Sequence, residues 1–189
     1  GNITPELCGR LAAIGVNELE KKSVPEFCEL GLTSNQAVKL KACLMLARKW
    51  AAGLRRKEVT SINSPYQCYL YLSGILENRT QEIFYLLCLN TKNRVIHEQA
   101  VFVGSLNSTI AHPREIFNVA IRQNAAAIIL AHNHPSGDPT PSEDDITATF
   151  KFHEAGKIIG INLLDHIIIG DGCYISIRDY LNENGNPLD

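Results

Sequence analysis

The stretch from Ala125 to Asp145 constrains this chain more than any other. An apolar run, Ala125-Ala126-Ala127-Ile128-Ile129-Leu130, leads through Ala131 into a polar segment, His132-Asn133-His134-Pro135-Ser136-Gly137-Asp138-Pro139-Thr140-Pro141-Ser142-Glu143-Asp144-Asp145. A short apolar run bounded by breakers reads as a buried strand. Side chains alternate along a strand, so a strand continuing to His134 puts His132 and His134 on one face. Pro135 stops it, because proline has no N–H to give to a ladder. Ser142 is a helix N-cap, and Asp145 falls in the first turn of the helix that follows.

Two imidazoles on one side of a strand end can chelate a metal ion. The loop is long enough to fold back and bring Asp145 beside them. Two histidines and one carboxylate are a common catalytic zinc set that leaves a fourth position for water. Plainer readings stand beside this one. Ser142-x-x-Asp145 is also a capping box variant, and histidines at strand ends often serve local hydrogen bonds. The combination at this spacing is what sets the stretch apart.

His132-Asn133-His134-Pro135-Ser136-Gly137 followed by Pro141-Ser142-Glu143-Asp144-Asp145 resembles the JAMM signature of the JAB/MPN superfamily: His-x-His, ten residues, Asp. Pro113-Arg114-Glu115-Ile116-Phe117 and Leu164-Asp165-His166-Ile167-Ile168-Ile169 are similar to its RadC branch. The likeness covers Ser61 to Ile177 well and the earlier residues more loosely. It implies an α/β fold, a mixed sheet with flanking helices of the JAB/MPN, cytidine-deaminase-like kind, preceded by a small helical domain. It implies a metal-dependent hydrolase with one zinc ion per chain on His132, His134 and Asp145. In that superfamily a glutamate near the start of the domain acts on the water at the metal, and a serine of the signature supports the oxyanion. Those roles fall on Glu82 and Ser142. Superfamily relatives cleave peptide or isopeptide bonds, so the implied activity is that of a metalloprotease. RadC also carries a DNA-repair label, which implies the alternative of a DNA-binding or accessory protein, or a metal-dependent nuclease.

At 189 residues the chain can hold one domain or two small ones. We divide it at residues 1–58, a helical domain and linker, and 59–189, the catalytic domain. In the first part, Thr4-Pro5-Glu6 is a helix start, with Gly15 as a stop. Val24-Pro25 begins a short segment. Ser34 to Trp50 is a longer helix with Val38, Leu40, Leu44, Leu46, Ala47 and Trp50 on its apolar face and Gly53 at its end. Arg55-Arg56-Lys57 then reads as a solvated linker. RadC-like proteins resemble a helix-hairpin-helix here, a motif that meets DNA phosphates through a Gly-x-Gly turn. The corresponding turn, Leu30-Gly31-Leu32-Thr33-Ser34-Asn35, has one glycine, a degenerate version of the motif. Lys39, Lys41, Arg48 and Lys49 can meet phosphates or simply line a solvated helix face.

The second part reads as a helix from Ser61 to Leu76, a strand from Glu82 to Leu89, a turn, and a return strand from Arg94 to Val103. A helix follows from His112 to about Asn124, then the buried strand. The helix after Ser142 runs to about Ala155, with Gly156 as its end. A strand covers Ile159 to Ile169, Gly170-Asp171-Gly172 turns the chain, and Cys173 to Ile177 is the last strand. Asn182 to Asp189 reads as a frayed tail.

Metal-assisted hydrolysis needs a base for the attacking water. Glu82, opening a strand, is the leading candidate, ahead of Glu98 and Glu115; a solvent-facing strand-end glutamate is its plain alternative. Asp165 and His166 interrupt an apolar strand and need partners. Either can orient a metal ligand from behind, or the two form a hydrogen-bonded core pair. Ser105 and Asn107, in the loop before His112, can line the site, and His112 or Arg114 can hold substrate. Arg114 and Glu115 read as a structural ion pair.

A net charge of −2 argues against a broadly basic nucleic-acid-binding surface. No apolar run is long enough to span a bilayer, and no secretory signal is present. The six cysteines form no Cys-x-x-Cys pair and read as reduced thiols in a cytoplasmic protein. The chain opens on Gly1, and its only methionine is Met45, which suggests a piece of a longer protein. Two function classes remain: a zinc hydrolase acting on an unidentified protein or peptide, and a DNA-binding or accessory protein contacting DNA through residues 1–58. A zinc deaminase would need His-x-Glu and Pro-Cys-x-x-Cys, and neither is here.

Overall fold

The computed structural model describes residues 4–104 and 112–188. The chain divides into two compact units, Gly1–Leu54 and Arg55–Asp189. The first is helical: α1 (Pro5–Ala13), α2 (Val16–Lys21), α3 (Val24–Glu29) and most of α4 (Ser34–Glu58). Its starts follow the capping signals in the sequence. Thr4 accepts a hydrogen bond from the Leu7 N–H, and Ser23 and Glu26 form a reciprocal capping box. Its small core is Leu19, Phe27, Leu32 and Ala37, flanked by Leu7, Leu11, Leu40 and Leu44.

Three expectations about α4 fail. Gly53 does not end the helix, which runs on to Glu58. One glycine costs a helix about 1 kcal/mol against alanine, too little to break a helix of 25 residues. Arg55-Arg56-Lys57 is therefore helical and not a linker. Arg56 donates to the Tyr71 hydroxyl at 2.8 Å, pairs with Glu98 and lies 4.4 Å over the Tyr71 ring. Of the expected apolar face, Leu40 and Leu44 join the core, while Val38, Leu46 and Trp50 are exposed. Lys41 donates to the carbonyls of Glu20 and Lys22, and Arg48 pairs with Glu20 at 3.0 Å.

The second unit is a mixed five-stranded sheet between helices. Helix α5 (Pro65–Leu76) leads into β1 (Ile83–Leu89) and β2 (Val95–Val103). Then come α6 (Pro113–Arg122), β3 (Ala127–Asn133), α7 (Glu143–Ile159), β4 (Asn162–Ile169), β5 (Tyr174–Ser176) and α8 (Ile177–Glu183). The strand order is β2-β1-β3-β4-β5. Only β3 and β4 run parallel; the other neighbours are antiparallel. Every residue of the central strand β3 is buried, as its apolar sequence requires. One sheet face packs Phe84, Leu86, Ile128 and Leu130 against Ile116 and Phe117 of α6 and Ala148 and Phe152 of α7. The other packs Leu87, Ile129, Ala131 and Ile167 against Cys68, Leu72 and Leu76 of α5.

Helix α5 starts at Pro65, not Ser61, and β4 at Asn162, not Ile159, and two further boundaries differ from the sequence reading. Gly156 lies inside α7, which ends at Ile159 with Gly160 as a left-handed cap, φ 80°. Gly156 is a packing glycine: a Cβ there would stand 2.6 Å from the Ile161 carbonyl oxygen and 3.3 Å from Phe117. At the C-terminus the chain turns at Ser176 into α8, where Ser176 accepts the Asp179 N–H at 3.1 Å. Ile177 and Leu181 of this helix, and Leu188 beyond it, are buried with Ile168. The last strand is accordingly short, and the tail is anchored by Leu188.

The two misread glycines respond oppositely to alanine. Gly156→Ala forces a methyl group against backbone and is expected to destabilise the second unit by about 1–3 kcal/mol. Gly53→Ala, with nothing within 4 Å of the added atom, is expected to stabilise its helix by about 0.5–1 kcal/mol. Urea denaturation of the two variants beside the parent chain checks both signs.

Candidate metal centre

The end of β3 and the first turn of α7 meet at one point. The β3 backbone ladder extends one residue past the strand, since the His134 N–H donates to the Ile169 carbonyl at 3.0 Å. Pro135 then breaks it. The loop returns through Asp138, whose side chain accepts from the Thr140 N–H at 2.9 Å and the Thr140 hydroxyl at 2.7 Å. Ser142 caps α7 in a full capping box. Its N–H and hydroxyl donate to Asp145 Oδ2 at 2.8 and 2.6 Å, and the Asp145 N–H donates back to Ser142 Oγ at 3.2 Å. The capping reading and the ligand reading of this pair are therefore compatible: the cap fixes the direction in which the Asp145 carboxylate points.

The result is a cluster of three donors. His132 Nε2 lies 3.1 Å from His134 Nε2 and 3.1 Å from Asp145 Oδ1, and His134 Nε2 lies 3.5 Å from Asp145 Oδ2. Tetrahedral bonds of about 2.0–2.1 Å to one zinc-sized ion hold their donor atoms about 3.3 Å apart. The donor set and its spacing therefore fit such an ion, and His132, His134 and Asp145 can hold one. His132 and Asp145 are buried and His134 is half-buried. The ring of His134 is oriented from behind. Its Nδ1 lies 2.8 Å from the Asp138 carbonyl; a carbonyl only accepts, so Nδ1 carries a proton and Nε2 is the nitrogen that faces the cluster.

Burial opposes ionisation of Asp145, yet its hydrogen-bond and electrostatic interactions with His132 and His134 and the Ser142 hydroxyl outweigh it and hold the carboxyl far below the usual range. His134 is raised by its hydrogen bond to Asp145, against its own desolvation, with help from the Asp138 carbonyl and the charges of Asp145 and Glu82. Glu82 stands just before β1, half-buried, and its carbonyl accepts the Gly104 N–H at 2.8 Å. The buried Asn133 side chain brackets it, donating to the Gln81 carbonyl at 3.1 Å and accepting from the Ile83 N–H at 2.9 Å.

The other candidates fall elsewhere. Glu98 is committed to Arg56 and pairs in register with Leu87, whose side chain belongs to the opposite sheet face. Glu115 is exposed and paired with Arg114 at 3.1 Å, the expected ion pair. His112 caps α6, accepting the Arg114 N–H at 3.1 Å. Ser105 and Asn107 lie outside the described residues.

Asp165 and His166 do not pair with each other through their side chains. Neighbours on a strand point to opposite faces, and the two diverge accordingly. The His166 ring is fully buried between His132, at 2.9 Å, and Thr149, at 2.6 Å. Asp165 turns the other way and accepts from the Ser176 hydroxyl at 2.7 Å, the His166 N–H at 2.7 Å and the Arg178 N–H at 3.3 Å. Sequence reasoning missed Asn133 and Thr149. The available signals were a polar residue inside a run of buried ones, and a threonine one helical turn beyond Asp145 on the same face.

Burial of Asp165, opposed by those hydrogen bonds, pushes its carboxyl up from the ordinary 3.8 to about 6. The folded state holds the extra proton between these values. Its contribution is therefore complete below the unfolded value and is lost as pH rises through the folded one. Asp165→Asn removes this dependence. Relative to the parent, the variant is expected to gain about 3 kcal/mol of stability as pH climbs from about 4 to about 7. Urea melts across that window check it, and a flat difference contradicts it.

The family model described as the RadC-like JAB domain matches residues 62–183, which include all three donors, Glu82 and Ser142. A UPF0758 protein of Staphylococcus aureus strain bovine RF122 / ET3-1 is 44% identical over 176 residues, covering 92% of this chain and 77% of its own. A second, from Staphylococcus aureus strain NCTC 8325 / PS 47, is 44% identical over the same share of this chain and 80% of its own. A UPF0758 protein of Bacillus cereus strain B4264 is 45% identical over 166 residues, 87% of this chain and 73% of its own.

Proposed function

The chain belongs to the RadC-like JAB domain family, and from that premise we propose that it is a zinc-dependent hydrolase of amide bonds, acting on a peptide or isopeptide link. The observation that carries this reading is the cluster of His132, His134 and Asp145, whose donor atoms stand at the spacing one zinc-sized ion requires. Zinc held by these three residues, one ion per chain, supplies Lewis-acid activation of water and of a carbonyl.

The chain's own residues do the rest. Glu82 takes the proton of the attacking water and passes it to the leaving amine. Asn133 holds the backbone on both sides of Glu82, so the carboxylate starts from a fixed origin. Ser142 donates its hydroxyl to the developing oxyanion. That hydroxyl now points at Asp145 Oδ2, and when it turns to substrate the Ser142 N–H retains the carboxylate. All six cysteines are free thiols, which suits a reducing, cytoplasmic location. Among the described residues no helix is long and apolar enough to cross a membrane.

A DNA-associated role is the second reading. It draws on Lys39, Lys49 and Trp50, all exposed on α4. A duplex contacted through residues 1–58 would bind less tightly as salt rises.

Elemental analysis of the parent chain, His134→Ala and Asp145→Ala is the first test. About one zinc per chain, lost in both variants, is the expected result. Glu82→Gln is expected to keep its zinc and to lose turnover of amide substrates by about 10²–10⁴-fold. A parent chain that stays metal-free when zinc is supplied rejects the hydrolase and leaves the DNA-associated reading.

A further inference from the structure

Thr149 and His166 lie beside the donor cluster without belonging to it, and both are fully buried. A line of short contacts runs through them. Thr149 Oγ1 is 2.7 Å from the main-chain carbonyl of Asp145, one turn back along α7. The same oxygen is 2.6 Å from His166 Nδ1, and His166 Nε2 is 2.9 Å from His132 Nδ1. His132 Nε2 in turn faces the Asp145 carboxylate at 3.1 Å. The line thus leaves Asp145 by its backbone and returns to it by its side chain.

The order of protons along this line follows from what each atom can do. A carbonyl only accepts, so Thr149 gives its single hydroxyl proton to Asp145. The contact between Thr149 and His166 is then donated by the ring, from Nδ1. His166 packs edge-on to the Phe84 ring at 5.4 Å, and no carboxylate is among its ring's hydrogen-bond partners. It therefore stays neutral with one ring proton, and its Nε2 accepts. His132 must donate from Nδ1, so Nε2, the atom that faces Asp145 and the cluster, is the one its neutral ring offers to an ion.

We propose that Thr149 and His166 are positioning residues that lock His132 into the one tautomer able to ligate a metal, with the Asp145 carbonyl as the fixed end of the chain. The inference rests on the metal-centre reading above. Histidine ligands usually donate their second nitrogen to an acceptor that orients them. Here that acceptor is another histidine, which has two tautomers of its own and cannot decide the matter alone. Were Thr149 to give its proton to His166, both rings would reverse, and His132 would carry its proton on Nε2, the ligand atom. The Asp145 carbonyl excludes that arrangement.

Two measurements test this. Long-range proton–nitrogen NMR of the metal-free chain reads the His166 tautomer directly, and the expected result is a proton on Nδ1. Competition with a chromophoric chelator gives zinc affinities for the parent, Thr149→Val and Thr149→Ser. Thr149→Val is expected to weaken zinc binding by about 10- to 100-fold, and Thr149→Ser, which keeps the hydroxyl, to restore it. A proton on His166 Nε2, or a valine variant that binds zinc as tightly as the parent, overturns the proposal. If the parent takes up no zinc, the metal-centre reading fails by itself, and the tautomer of His166 still decides this one. The same measurement decides if the valine variant does not fold.

Discussion

A strand buried along its whole length cannot end in polar residues unless each of them finds a partner, and β3 ends in His132 and Asn133, with His134 just beyond. Most of the architecture around the site answers that requirement. Asn133 reaches back about fifty residues to fasten the start of β1. His132 reaches across the parallel neighbour β4 to His166. His134 is met by the carbonyl of Asp138 from its own loop. The N-terminus of α7 closes the remaining side with a carboxylate. Satisfying the strand end and assembling three donors around a point are one operation.

Asp145 and Asp165, the two carboxyls buried among the described residues, show how partners, not burial alone, set charge. Asp145 and Asp165 are both nearly inaccessible to water. Asp145 faces two imidazoles and stays ionised to far below the usual range. Asp165 faces a hydroxyl and two backbone N–H groups, and its proton is retained to about 6. Neutral donors soften the cost of burying a charge without cancelling it. The sheet keeps the two environments on opposite faces, so the ionised group stands with the histidines and the more easily protonated one stands behind them.

Much of this was legible in the sequence, and what was not has identifiable causes. Period, breakers and caps are local signals, and they predict the strand before His132, the turn at Pro135, the cap at Ser142 and the order of strands and helices in the sheet. Glycine was the misleading signal. Gly53 and Gly156 sit inside helices, one tolerated because the helix is long, the other retained because a neighbouring backbone passes close. Helix α8 escaped notice because its buried face has only Ile177 and Leu181, too few to show a period. Thr149 and Asn133 escaped because their importance lies in what they touch. Asn133 meets a segment that no spacing within its own strand indicates, and Thr149 meets a ring on another element.

The capping box has a consequence for how relatives of this chain can be compared. Ser142 and Asp145 hold each other by three hydrogen bonds that serve the start of α7 with or without any ion. A descendant that lost the histidines would still be under selection to keep both residues, for the sake of the helix. Their presence in a related chain is thus weak testimony that the three-donor cluster is kept. His134 is a different kind of witness. Half-buried, with its ring held by the Asp138 carbonyl and turned to His132 and Asp145, it caps no helix. Its loss, more than any change at Ser142 or Asp145, would mark a lineage in which the three-donor cluster is no longer kept.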